Sequence, residues 1–425
     1  MDTIFALATA QGRAGVAIVR LSGPAAHSVA ALYAGPLPLP RRAARRPLRD
    51  ARGNVLDDIL LLTFDTGASF TGEEVAELHL HGSIAIINAV LELLAQTDGC
   101  RLAEAGEFTR RALENGCMDL VEVEGLADLI DAETDAQRRQ AMQVYSGSLS
   151  TRTEAWRTSL IRAAALIEAT IDFADEEIPE NVFPEVSEIV HRLIDEFTVE
   201  AAGVAQAERL RAGFEVALIG PPNAGKSTLL NAIARRDVAI TSEVAGTTRD
   251  IIELRTDING LPVTFLDTAG IRETDDTVER IGVTRALDRA RAADLRVFLE
   301  PISELEPRKD DLSLLAKADI RQGVGLAVSA RTGAGVTELL DSIGEILQGR
   351  LQQVGAATHL RHRLALTSAA QMLRDAQEDL LDPTLRAEMA ADNLRSAIAI
   401  LDSLVGRIGV EDLLGEIFSS FCIGK

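Results

Sequence analysis

Apolar and polar positions change rhythm three times along the chain. Up to residue 118, short β-branched runs alternate with helical spacing. Residues 15–21 end at Ser22-Gly23-Pro24, residues 59–64 and 75–80 read as strands, and residues 83–95 read as a helix. The proline-rich stretch 35–49 reads as a loop. From 119 the period lengthens. Residues 119–143, 150–174 and 185–211 carry Ala, Leu and Ile on one face and many acids on the other, with a break at 172–179. Strands and helices alternate again from 214 to about 350. Helical spacing then returns in 361–381, 384–405 and 410–418. Neither helical half has a sheet of its own, so the expected architecture is multidomain, α/β plus all-α. An N-terminal α/β domain (1–118) precedes a discontinuous helical bundle (119–212 and 353–425), which is interrupted by an inserted α/β domain (213–352).

Composition narrows the class without changing this picture. Of 425 residues, 47% are hydrophobic and 25% charged, and no apolar run approaches the ~20 residues of a membrane span. The N-terminus, MDTIFALATA, carries an acid and no basic flank, which argues against a signal peptide and leaves the cytoplasm as the expected location. Cys100, Cys117 and Cys422 form no CxxC pair, and six scattered histidines suggest no metal cage. The net charge of −22 makes the chain a poor generic nucleic-acid binder, so a contact with RNA is expected through a local basic patch or a partner. The one basic run, residues 41–49, reads as a solvated loop.

The strongest chemistry lies in the inserted domain. An apolar run, 216–219, stops at Gly220, and the spacing Gly220-x-x-x-x-Gly225-Lys226-Ser227 leads into a helical pattern from Thr228. Strand, glycine loop and helix start form a phosphate-binding P-loop: successive N–H groups converge on phosphate oxygens, Lys226 reaches the β- and γ-phosphates, and Ser227 ligates Mg²⁺. The loop residues Asn223, Ala224, Gly225, Lys226, Ser227 and Thr228 are the candidate phosphate contacts. Downstream, Asp267-Thr268-Ala269-Gly270 follows an apolar run and matches a strand-end DxxG, in which Asp267 holds Mg²⁺ through water and the Gly270 N–H senses the γ-phosphate. Between them, Thr248 of Gly246-Thr247-Thr248-Arg249-Asp250 offers the metal a second hydroxyl.

Lys317-Ala318-Asp319 and Ser329-Ala330-Arg331 complete a base-reading set. The Asp319 carboxylate accepts from guanine N1 and N2, the Lys317 stem stacks on the base, and a backbone N–H of the second motif meets O6. Four elements in this order specify a GTPase. Two positions depart from the common pattern. Ala316 stands where Asn or Thr usually precedes the lysine. Ile271 stands where Ras-like proteins place a water-orienting glutamine, which leaves Arg272, Glu273, Glu279 and Arg280 as candidates for that task. Residues 300–311 are also short for a helical crossover between parallel strands.

These motifs, with Ala245-Gly-Thr-Thr-Arg-Asp250, Val278-Glu-Arg-Ile-Gly282 and the terminal Phe418-Ser-Ser-Phe-Cys-Ile-Gly-Lys425, resemble the tRNA-modification GTPase family MnmE (TrmE). The N-terminal signatures Gly12-Arg13-Ala14-Gly15-Val16, Ser69-Phe-Thr-Gly-Glu-Glu74, Gly106-Glu-Phe-Thr-Arg-Arg-Ala112 and Ala127-Asp-Leu-Ile-Asp131 resemble it as well. The resemblance implies a folate-binding, dimer-forming N-terminal domain and an inserted Ras-like G domain. It implies K⁺-dependent GTP hydrolysis and work with a flavin-dependent partner, MnmG, in a heterotetramer. Together they would modify C5 of the tRNA wobble uridine, with no membrane involved. By the same resemblance Asn223, Ser242, Val244 and Thr247 surround K⁺, with Glu243 and Ala245 in the same nucleotide-facing loop. Glu279 orients the hydrolytic water. Arg20, Glu77 and Lys425 contact 5-formyltetrahydrofolate, and Cys117 falls where the family has a further folate-contacting lysine. The aromatic tail is expected to dock on the N-terminal domain, with Cys422 near the one-carbon unit. The G motifs alone leave a signalling or ribosome-assembly switch open.

Overall fold

The computed structural model describes residues 2–172, 182–236, 253–267, 277–351, 355–381 and 383–408, together with Phe418, Phe421 and Gly424. By compactness the chain divides into one unit of Met1–Ala127 with Asp402–Lys425 and a second of Asp128–Leu401.

In chain order the first part of the molecule holds β1 (Thr3–Leu7), β2 (Ala17–Ser22), α1 (Ala26–Ala34), β3 (Ala44–Arg49), β4 (Val55–Phe64), β5 (Val75–Leu80), α2 (Ile84–Ala95), β6 (Cys100–Leu102), α3 (Glu107–Glu114) and α4 (Leu120–Asp131). The six strands form one sheet in the order β3-β4-β5-β2-β1-β6, antiparallel except between β1 and β6. Alternation places Val19 and Leu21 of β2 and Ile59 and Leu61 of β4 against the apolar faces of α1 and α2. Strand β1 is buried on both faces. Phe5 joins that core, while Ile4 and Ala6 pack with Ala103 and Phe108 on the other side.

Residues 35–49, expected as a loop, contain the edge strand β3. Leu48 is buried, whereas Arg45, Pro47 and Arg49 are exposed. A proline signals a loop only where its missing N–H is needed in the ladder, and at a sheet edge it is not. Within the same unit, Phe418 and Phe421 of the tail pack with Val123. A Cβ on Gly106, whose φ is +67°, would meet the Phe418 ring at 2.9 Å.

The second part holds α5 (Asp135–Tyr145), α6 (Ser148–Asp172), α7 (Phe183–Ala212), β7 (Phe214–Ile219), α8 (Lys226–Ala234), β8 (Glu253–Ile258), β9 (Leu261–Asp267), α9 (Thr277–Ala292), β10 (Leu295–Phe298), β11 (Leu312–Ala316), β12 (Leu326–Val328), α10 (Val336–Gly349), α11 (Leu360–Asp379) and α12 (Pro383–Leu404). The single helix expected over 119–143 is two, α4 and α5. The break is a capping box at Thr134, whose N–H donates to Gln137 Oε1 at 3.1 Å and whose hydroxyl accepts from the Gln137 N–H. Helix α7 packs along α11, bringing together two helices that the inserted α/β segment separates in sequence. Glu200 of α7, 3% exposed, fixes the chain's return by accepting from the Ala357 N–H at 2.7 Å and from Arg152.

The inserted domain has a second six-stranded sheet, β12-β11-β10-β7-β9-β8, parallel except for β8. The connection from β10 to β11 contains no helix among its described residues. Ile302 and Leu305 cover the sheet in its place, packing with Ala217, Ile219 and Phe298. A buried Arg296–Asp311 pair, Nε to Oδ2 at 2.9 Å, anchors that connection, and Arg296 also donates to the Glu306 carbonyl at 2.9 Å. Among the described residues no helix is long and apolar enough to cross a membrane.

Candidate GTP site and N-terminal charge cluster

Parallel strands place their C-terminal ends together, and the G motifs occupy those ends. Strand β7 stops at Ile219, the loop turns at Gly220, and α8 begins at Lys226. Gly220 admits no side chain cheaply, since a Cβ there would lie 3.0 Å from the Ala224 methyl. Asn223 holds φ 64° and Gly225 φ 108°. This left-handed backbone aims consecutive N–H groups inward at the uncapped N-terminus of α8. Lys226 is 5% exposed, and its ammonium donates to the Gly220 carbonyl at 2.7 Å and the Pro221 carbonyl at 3.1 Å. Both acceptors are neutral carbonyls at the turn of the P-loop, which places the ammonium beside the phosphate cradle.

Register between β7 and β9 sets Leu218 beside Asp267, which brings the strand-end aspartate to the first turn of α8. Ser227 Oγ donates to Asp267 Oδ2 at 2.6 Å. Asp267 is 3% exposed, and among the described residues its Oδ1 has no hydrogen-bond partner. A buried carboxylate oxygen left alone is costly. A hydroxyl beside such an oxygen is the donor set a hard divalent cation with retained waters takes, so the residues present fit Mg²⁺.

The base-reading residues converge from three loops. Lys317 adopts φ 59°, and its ammonium reaches across to the Asn223 carbonyl at 2.8 Å, tying the base-reading loop to the P-loop. Ser329 Oγ donates to Asp319 Oδ1 at 2.8 Å and fixes the carboxylate that faces a cavity of about 250 Å³. Leu229, Leu299, Leu314, Val328 and Ala316 supply its apolar wall, and Ala330 and Arg331 line it as well. Sequence reasoning missed Leu299 and Leu314; their positions at the ends of the apolar runs before the motifs were the available signal. A larger cleft of about 580 Å³ lies among α5, the end of α7 and β9, lined by Asp128, Gln137, Arg211 and Arg255. It includes no G-motif residue, so size does not identify the nucleotide site.

Several expected residues lie outside the described ones: Ser242, Glu243, Val244, Ala245, Gly246, Thr247, Thr248, Thr268, Ala269, Gly270, Ile271, Arg272, Glu273, Cys422 and Lys425. Glu279 falls in α9, with its side chain outside the description.

In the N-terminal sheet Arg20 of β2 lies opposite Glu77 of β5, paired at 3.0 Å, and its guanidinium sits 5.5 Å from the Phe70 ring centre and 5.7 Å from that of Phe108. A hydrogen bond from His79, with Arg20 alongside, holds the Glu77 carboxyl below its ordinary value against the opposing effect of burial. Cys117 is exposed, and a Cβ on Gly72 would meet its Sγ at 2.9 Å. Gly424 lies against the Leu7 carbonyl at the end of β1, the strand whose Ala6 pairs with Arg20. Three other charged residues of the N-terminal signatures, Glu73, Glu107 and Arg111, bind one another. Arg111 contacts Glu73 at 3.1 Å and Glu107 at 3.1 Å, and Arg101 also contacts Glu107.

A P-loop with its lysine, a serine–aspartate pair with one free buried oxygen, and a clamped aspartate over a purine-sized cavity define a guanine-nucleotide-binding hydrolase of the P-loop class. The family model described as "GTP-binding protein TrmE N-terminus" matches residues 3–117, and "MnmE helical domain" matches residues 120–422. A "tRNA modification GTPase MnmE" of Cereibacter sphaeroides is 58% identical over 429 residues, and one of Roseobacter denitrificans is 57% identical over 428, each alignment covering 100% of both chains. The chain belongs to the tRNA modification GTPase family MnmE. Among solved structures, Era of Aquifex aeolicus bound to GDP·AlF₄⁻ is 27% identical over 31% of this chain and 56% of its own, with a TM-score of 0.26.

Proposed function

We propose that this GTPase runs a K⁺-dependent hydrolysis cycle and, with a flavin-dependent partner, modifies C5 of the tRNA wobble uridine using a folate-derived one-carbon unit. The observation that carries the nucleotide half is the Ser227–Asp267 pair, whose second carboxylate oxygen is buried without a partner among the described residues, beside the P-loop Lys226. Ser227, Thr248 and, through water, Asp267 would hold Mg²⁺, while Asn223, Ser242, Val244 and Thr247 would hold K⁺. Bound there, the cations would supply fixed positive charge against the charge that develops on the phosphates. Lys226 binds the β- and γ-phosphates, and the Asp319 carboxylate selects guanine. Glu279 orients the water in place of the glutamine absent at position 271.

For the folate half, the ionised Glu77 accepts from the N–H edge of a pterin. His79 and Arg20 keep Glu77 charged, and Lys425 meets a carboxylate of the ligand's tail. Gly424 against β1 supports this reading, because it brings the chain end toward the strand pair that carries Arg20. Cys422, two residues earlier, would stand near the one-carbon unit. The domain division 1–118, 119–212 with 353–425, and 213–352, a homodimer formed through the N-terminal domain, and a cytoplasmic location belong to the same reading.

One reconstitution tests it: wobble-uridine modification of tRNA by the full chain with its flavin-dependent partner, formyl donor and GTP, in KCl and in NaCl at equal ionic strength. Modified nucleoside should accumulate in KCl, with faster phosphate release than in NaCl. Equal phosphate release in the two salts would remove the K⁺ assignment. Phosphate release with unmodified tRNA would favour a binding switch over modification chemistry.

A further inference from the structure

Six arginines and one aspartate occupy residues 41–52 of a chain whose net charge is −22. The fold gathers them on one margin: β3 is the outer strand of the N-terminal sheet, and its hairpin to β4 turns at Asp50–Asn54. Arg41, Arg42, Arg45, Arg49 and Arg52 are exposed. Among the described residues only Arg45 of the six forms an ion pair, with Asp58 through an Nε contact of 2.8 Å. The Asn54 side chain holds the Asp50 carboxyl below its ordinary value, and Arg52 lies close enough to help.

The remaining contacts leave the charge in place. Arg41 donates to the Ala68 carbonyl at 2.8 Å, Arg46 to the Pro36 carbonyl at 3.0 Å and Arg49 to the Gly53 carbonyl at 2.9 Å. Neutral acceptors orient a guanidinium without neutralising it. The neighbouring acids are engaged elsewhere. Asp50 accepts from the N–H groups of Arg52 and Asn54 within its own turn, and Asp57 accepts from His81. Protection of a sheet edge accounts for part of this pattern, but Pro47 and the register shift at Leu48/Arg49 already block strand addition. The number of uncompensated arginines exceeds that need.

We propose that the β3 edge with its hairpin turn is a docking surface for the phosphate backbone of tRNA. An acidic molecule repels a polyanion over most of its surface, so a local array of unpaired guanidinium groups both attracts RNA and fixes where it lands. The proposal rests on tRNA being the macromolecular substrate of this family.

Filter binding of unfractionated tRNA to the full chain over a KCl series tests it. With Arg42→Gln, Arg46→Gln, Arg49→Gln and Arg52→Gln combined, Kd should weaken at least about tenfold near 0.1 M KCl, and the slope of log K against log[KCl] should shrink by about 2–3. GTP turnover and the thermal midpoint should stay unchanged. Arg46 and Arg49 also hold backbone carbonyls, so Arg42→Gln with Arg52→Gln, both exposed, serves as a second variant and should give about half that change in slope. Binding within twofold of wild type with an unchanged slope, in either folded variant, overturns the proposal. Failure of the unaltered chain to bind tRNA at low salt would instead overturn the substrate reading on which it rests.

Discussion

The two sheets treat their motif charges in opposite ways. At the ends of β7 and β9 the charged groups face the ligand site: the Lys226 ammonium donates to the Gly220 and Pro221 carbonyls of the P-loop, and Asp267 keeps one buried oxygen without a partner among the described residues. In the N-terminal domain Arg111 binds Glu73, Glu107 and the Asp2 carbonyl, and Arg101 binds Glu107 and Asp2. Both sets sit in signature motifs and look alike as strings of charged residues. The first keeps hydrogen-bonding capacity for a ligand, and the second spends it on internal partners. Unmet polar capacity, rather than charge itself, separates a site from a scaffold.

Removing one member should therefore have opposite consequences in the two places. Arg111→Met leaves the buried Glu107 and the half-buried Glu73 with part of their compensation gone. The N-terminal domain should lose about 3–5 kcal/mol, read as lost hydrogen-exchange protection over residues 73–111, with GTP turnover retained. Asp267→Asn should do the reverse. Thermal stability should hold, while single-turnover GTP hydrolysis should fall on the order of 10²–10³-fold. If Arg111→Met abolished turnover and left protection intact, the contrast between scaffold and site would be wrong.

The smallest expected effect sharpens the comparison within the GTP site. Ala316 is 6% exposed in the wall of the base cavity and offers the nucleotide no hydrogen bond. Ala316→Asn should tighten GDP binding by up to about tenfold, one or two hydrogen bonds at roughly 1 kcal/mol each, with guanine preference retained. Titration calorimetry with GDP and ADP reads both quantities. Asp319→Asn, by contrast, should lose guanine preference, and its retention would displace Asp319 as the reader.

Much of the GTP site was legible because its parts are local. A P-loop binds phosphate with consecutive backbone N–H groups, so Gly220, Gly225, Lys226 and Ser227 carry their meaning in their spacing alone. The strand before them and the helix after them follow from hydrophobic rhythm over a dozen residues. The order of the later motifs likewise needed only the chain, as did the two helical stretches on either side of the insertion.

Tertiary structure decided whatever depends on residues far apart. Parallel pairing of β7 with β9 brings Asp267 to Ser227 across 40 positions, and no local pattern reports which carboxylate oxygen is left free. Asp2, Glu73, Glu107 and Arg111 become a network only when β1, the loop before β5 and α3 meet. The strand Ala44–Arg49 was hidden by its proline because edge position is a property of the whole sheet. Residues 299–311 cross between parallel strands without a helix because Ile302 and Leu305 cover the sheet and the buried Arg296–Asp311 pair secures the connection. Sequence spacing specifies chemistry that one backbone segment can perform; chain folding specifies which side chains neutralise each other and which remain free to bind.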